Sequence, residues 1–162
     1  KVLTELRNRS DIFIDTSDLN VHDLSRKIRS GLEEAGTDNT HVTIMSFGFK
    51  YGLPMDADHV ADVRFLPNPY WVTELRHLTG RDEPVSDFVL NIDGAEDFIQ
   101  GYADLLEPIF DGYQHELKPY VTIAIGCTGG KHRSVAMSEK LGEIMRSRGH
   151  NVRNLHRDLG RE

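Results

Sequence analysis

Cysteine occurs once in the 162 residues, at Cys127, which excludes an internal disulfide and any multi-cysteine metal site. Long apolar runs are absent too: nothing approaches the roughly 18 residues of a membrane span, and no basic leader precedes an apolar segment. A cytoplasmic protein without a membrane partner is the expectation. Positive charge is in deficit, with 19 Lys and Arg against 26 Asp and Glu and a net charge of −7, which argues against non-specific nucleic-acid binding. No repeat, low-complexity tract or long linker divides the chain, so one domain with one core is expected.

The charge deficit is uneven. Residues 126–162 carry 8 Lys and Arg against 4 Asp and Glu, leaving 11 against 22 in residues 1–125. A locally basic C-terminal part suits an anionic small molecule or an RNA backbone, for which Lys140, Arg146, Arg148, Arg153 and Arg157 are the candidate contacts.

One stretch organises the rest. Residues 120–125 are β-branched or apolar without a turn former and predict a buried strand. Gly126-Cys-Thr-Gly-Gly-Lys-His-Arg-Ser134 then breaks it, and an amphipathic helix over about 133–148 follows, with Val135, Met137, Leu141, Ile144 and Met145 on one face. Strand, glycine-rich loop and helix N-terminus together make a phosphate cradle, in which Gly129 and Gly130 permit close approach and Thr128, Lys131, His132, Arg133 and Ser134 supply donors.

Upstream, Asp11 to Asp15 predicts a short strand, Val21, Leu24, Ile28 and Leu32 one helical face, and His41 to Phe47 a second strand. With strand 120–125, helix 133–148 and strand 151–155 this gives two β-α-β units, hence an α/β fold with a mostly parallel sheet flanked by helices. Ligands of such sheets bind beyond the carboxyl ends of strands, so Gly48, Lys50 and Tyr51, just past the strand at 41–47, are expected to face the Cys127 loop. Asp62 and Arg64 alternate onto one face before the stiff Pro67-Asn68-Pro69, as an ion pair or as a sugar and phosphate contact. Tyr70 and Trp71 are expected as core or interface anchors, Gly94 to Phe110 as a scaffold helix and Ser86 to Leu90 as a turn or two of helix.

Four readings of the glycine loop are open. A nucleotide P-loop requires G-x-x-x-x-G-K-[ST], but His132 follows Gly130-Lys131 and Ile125 stands where the first glycine belongs, so that pattern is absent. The spacing Cys127, five residues, Arg133, Ser134 is that of cysteine phosphatases, with Gly126 where those enzymes usually carry histidine. A non-catalytic anion cradle needs only the glycines, the donors and the helix start. A plain chain reversal is the fourth.

The motifs Ser46-Phe-Gly-Phe-Lys-Tyr-Gly52, Asp62-Val-Arg-Phe-Leu-Pro-Asn-Pro69, Gly126 to Ser134 and His156-Arg157-Asp158, in that order, resemble the C-terminal domain of the RapZ/YvcJ family. The resemblance implies a phosphofructokinase-subdomain-like fold over residues 11–162, with residues 1–10 as the end of an interdomain helix. It also implies a P-loop NTPase domain further N-terminal that holds ATP or GTP, no cofactor in this domain, and assembly as a homodimer or tetramer. Enterobacterial members sense glucosamine-6-phosphate and bind a small regulatory RNA for an RNase, so small RNA and a regulator protein join the implied partners. The ligand set carried over comprises Asp62, Arg64, Cys127, Thr128, Gly129, Lys131, His132 and Arg133, with Gly48, Lys50, Asn68, Gly130 and Ser134 as neighbours. Tyr70 stands where sugar-phosphate sensors carry histidine, which brings in UDP-N-acetylglucosamine as an alternative ligand. A sensing domain rather than an enzyme is thus expected.

Overall fold

A computed structural model describes residues 14–32 and 40–161. The expected cut helix at Lys1–Arg9 lies outside them. The first described helix, α1, runs Val21–Leu32, where its apolar spacing placed it, with Val21 and Ile28 exposed.

Four strands follow the pattern of β-branched and small apolar residues: β1 (His41–Gly48), β2 (His59–Asp62), β3 (Tyr120–Cys127) and β4 (Asn151–His156). All pair in parallel in the order β2-β3-β1-β4. β1 and β3 are buried almost throughout, as inner strands of a parallel sheet must be. The fold is α/β with an all-parallel four-stranded sheet flanked by helices.

Three further α-helices stand among the described residues: α2 (Glu83–Leu90), α3 (Ala95–His115) and α4 (Arg133–Ser147). α4 packs on β1, β3 and β4, and α2 and α3 pack against α4. Its Ala136, Met137, Leu141 and Met145 are sealed into a core that includes Ile44, Ile123, Ile125, Ile99, Leu106 and Phe110. α2 starts three residues earlier than its apolar pattern suggested because Pro84 fits a first helical turn, where no amide partner is needed. α3 runs on through Pro108 to His115.

The first of the two expected β-α-β units does not form among the described residues. Asp11, Ile12 and Phe13 lie outside them, Ile14 and Asp15 are not in a strand, and both edges of β1 are already taken by β3 and β4. Tyr70 and Trp71 take no part in the core, one of the two places expected of them. They are 46% and 76% exposed, because Asn68 caps the amide of Tyr70 and Pro69 opens a 3-10 turn that carries both rings outward.

The topology creates the crevice. β1 connects to β2 toward one edge while its neighbour β3 connects through α4 to β4 toward the other, so right-handed crossovers send the two connections to opposite faces. The register pairs Gly48 with Cys127 and Asp62 with Gly126, which brings three strand ends together at this switch point.

Candidate functional site

A cavity of about 260 Å³ opens at those strand ends, lined by Lys50, Asn68, Tyr70, Arg76, Cys127, Thr128, Gly129, Lys131, His132 and Arg133. Nine of the ten were singled out from the sequence. Arg76 was not: it sits in a polar loop without any motif, and only the fold brings its guanidinium to 4.8 Å from the centre of the Tyr70 ring and its Nε to the Tyr70 carbonyl.

Arg133 is the anchor. Although only 5% exposed, it forms no ion pair among the described residues; its Nη1 donates to the carbonyls of Arg64 and Leu66 at 3.1 and 2.8 Å. Those two bonds tie the cradle to the 64–66 segment and fix the plane of the guanidinium. Its Nη2 makes a long contact of 3.3 Å with Thr128 Oγ1, and its Nε has no hydrogen-bond partner among the described residues. Nε and Nη2 form the edge with which arginine grips a carboxylate or phosphate in bidentate fashion. A buried donor left unpaired costs about 1–3 kcal/mol, which an anion on that edge would recover.

The loop around Arg133 is held by close backbone packing. A Cβ on Gly48 would lie 2.6 Å from the Gly129 carbonyl carbon, and Gly130 has φ of +80°, in the left-handed region glycine favours. Gly48 thus supports the loop from below instead of facing the cavity, and its amide donates to Asp158 at 2.8 Å. Asp158 is fully buried and also receives Arg157 and Arg161. Burial opposes its ionisation, but the hydrogen bonds from Arg157 and the Gly48 amide outweigh that and hold its carboxyl below the usual range. It appeared in the sequence only as the end of His156-Arg157-Asp158, with no local sign that it bolts β1 to the segment after β4.

Gly130 and Ser134 also lie behind the cavity wall, directed at the thiol. The Gly130 amide donates to Cys127 Sγ at 3.3 Å, and Ser134 Oγ lies 3.1 Å from the same sulfur. Two further cations line the cavity: Lys131 Nζ reaches the Arg76 carbonyl at 3.3 Å, and Lys50 Nζ lies 4.7 Å from the centre of the Tyr51 ring.

Asp62 and Arg64 do share a face, and they pair with each other beside the cavity rather than lining it. Arg64 spends its Nε and Nη2 on the Asp62 carboxylate at 2.6–3.0 Å and stacks on Phe49. The hydrogen bond from Arg64 holds the Asp62 carboxyl below its usual range.

The cations suggested for RNA have partners within the domain. Lys140 pairs with Glu143, Arg146 with Asn154, Arg148 with Asp104 and Glu107, Arg153 with Thr43, and Arg157 with Asp158. Among the described residues no helix is long and apolar enough to cross a membrane, and no group of three or more His, Cys, Asp or Glu is placed to hold a metal ion.

Comparison with known proteins adds a family. The profile of the RapZ C-terminal domain matches residues 40–160. A nucleotide-binding protein of Clavibacter michiganensis subsp. michiganensis is 57% identical over 161 residues, covering 99% of this chain and 55% of that protein. A Streptomyces coelicolor relative of the same description is 55% identical over 162 residues, covering 100% of this chain and 54% of its own length. In Bifidobacterium adolescentis the figures are 56% over 158 residues, with 98% and 51% covered. The chain therefore spans about half the length of the curated relatives it matches.

Proposed function

Since this chain belongs to the RapZ C-terminal domain family, we propose that it is a regulatory ligand-binding domain for a phosphorylated amino sugar or a nucleotide sugar. The observation that carries the reading is the buried Arg133, pinned through Nη1 and unpaired at Nε, in a cavity with Lys50 and Lys131. The phosphate takes the Nε/Nη2 edge and the field of the α4 N-terminus. A cavity of about 260 Å³ is near the lower end for small-molecule sites, so it suits a sugar phosphate such as glucosamine-6-phosphate. A nucleotide sugar such as UDP-N-acetylglucosamine would place its base outside, on the exposed Tyr70 ring that Arg76 backs at 4.8 Å.

Asp62 stands ready for an amine or hydroxyl beside that phosphate once Arg64 yields its grip. ATP or GTP is assigned to the remainder of a longer protein, and assembly into a homodimer or tetramer and contact with a regulator protein belong to the same reading. RNA is the less favoured partner, because each cation named for it is engaged by the domain itself.

Calorimetry with glucosamine-6-phosphate, UDP-N-acetylglucosamine and inorganic phosphate tests the proposal. Arg133→Ala is expected to abolish binding of all three, and Asp62→Asn to weaken only the amino sugar phosphate. Failure of the unaltered protein to bind any of them would refute it. A steep fall of RNA affinity with salt would restore the RNA reading.

A further inference from the structure

We propose that the guest of this cavity is a nucleoside diphosphate unit, two linked phosphoryl groups without an amine; the inference rests on the anion reading above and narrows it. Four cations line the cavity, Lys50, Arg76, Lys131 and Arg133, and no carboxylate does so among the described residues. In a chain with 26 acidic against 19 basic residues, that gathering of one sign runs against the overall charge. Elsewhere the domain neutralises its cations: Arg64, Lys118, Arg148, Arg157 and Arg161 each pair with an Asp or Glu.

The cavity cations have neutral partners instead. Lys131 Nζ donates to the Arg76 carbonyl, Arg76 Nε to the Tyr70 carbonyl and Arg133 Nη1 to the Arg64 and Leu66 carbonyls, while Lys50 Nζ stands over the Tyr51 ring. Asp62 feels the Arg133 charge through space, but its oxygens are bonded to Arg64. Carbonyls and rings position a cation without cancelling its charge, so the cleft keeps a field of one sign that draws in an anion.

The charges are held at two places. Arg133 is fixed to the 64–66 segment, whereas Lys131 and Arg76 are fixed to each other and to the 70–76 segment. One phosphoryl group on the Nε/Nη2 edge of Arg133 leaves Lys131 and Arg76 without an anion, and a second phosphoryl group linked to the first supplies it. A phosphorylated amino sugar fits less well for the same reason. Its ammonium would enter a lining of like charges, and Asp62 would first have to leave Arg64. Tyr70 completes the site: its ring lines the cavity, is 46% exposed and is backed by the Arg76 guanidinium at 4.8 Å, which suits a heterocyclic base. Stacking takes any base, so the diphosphate carries the selection.

Calorimetry on the full-length protein tests this with UDP, inorganic pyrophosphate, inorganic phosphate and glucosamine-6-phosphate, and Arg133→Ala supplies the background for any of them held outside the cavity. UDP is expected to bind on the order of 100-fold more tightly than inorganic phosphate, with pyrophosphate between them and glucosamine-6-phosphate no tighter than phosphate. Arg76→Gln should lower the UDP-to-phosphate affinity ratio about tenfold, and Arg76→Lys should recover part of it. Arg76 is exposed, and circular dichroism checks that its variants keep the fold. UDP no tighter than phosphate, glucosamine-6-phosphate tighter than UDP, or a ratio indifferent to Arg76→Gln overturns the diphosphate and leaves the sensor standing. No probe bound above the Arg133→Ala background overturns both.

Discussion

Arg64 turns its Nε/Nη2 edge onto the Asp62 carboxylate at 2.6–3.0 Å on the domain surface, whereas Arg133, 5% exposed, leaves Nε unpaired and anchors itself through the opposite nitrogen. The same side chain therefore does two jobs. In solvent, an arginine closes on the nearest carboxylate at little net gain, since water competes for both partners. Under the loop, carbonyls of another segment hold the guanidinium plane fixed, and Nε is left without a hydrogen-bond partner among the described residues. Preorganisation of this kind removes the ordering cost that a mobile surface arginine brings to binding.

The largest effect expected from breaking this contrast is that of Arg133→Ala. It removes the proposed anion clamp and leaves the Arg64 and Leu66 carbonyls without their donor, so phosphate binding should vanish and urea unfolding should show a loss of about 2–4 kcal/mol. Arg133→Lys separates the two roles: charge returns without the fork, and affinity should recover only in part.

Asp158→Asn comes next. Charge-assisted bonds to Arg157, Arg161 and the Gly48 amide are weakened, at a cost of about 2–3 kcal/mol at neutral pH. Because the folded-state carboxyl lies below its ordinary value, its contribution is complete above an unfolded pKa of about 3.9 and fades as pH falls through the lower folded value. Acid unfolding curves should therefore be shallower below that point in the variant, and an unchanged slope would contradict the assignment.

Gly48→Ala brings a methyl to 2.6 Å from the Gly129 backbone, which overpacking estimates place at about 1–3 kcal/mol. Weakened phosphate affinity in that variant would show that the loop position, not merely its donors, sets binding. Arg64→Ala should do least: an unchanged unfolding midpoint, and inorganic phosphate affinity within about threefold. A loss there as large as that of Arg133→Ala would dissolve the contrast between the two arginines.

Much of this was legible in advance. The β-branched runs at 41–47 and 120–125, the 3.6-residue spacing in 133–148 and the glycines of the cradle each report a local backbone preference, and the structure places strand, loop and helix at those positions. Tyr70, expected in the core or as an interface anchor, stands outside the core because a capped turn opened by proline decided where it points.

By itself, the sequence determined an α/β domain whose glycine-rich loop, rich in donors, joins a buried strand to a helix, because strand, turn and helix propensities act over a few neighbouring residues. Tertiary structure alone decided which nitrogen of Arg133 is anchored and which is left without a partner, that Arg76 backs Tyr70, that Asp158 bolts the Gly48 amide, and that Gly130 and Ser134 meet the thiol. Several of those partners lie some 70 to 110 positions apart and meet only once the strands are in register, which no local periodicity can encode.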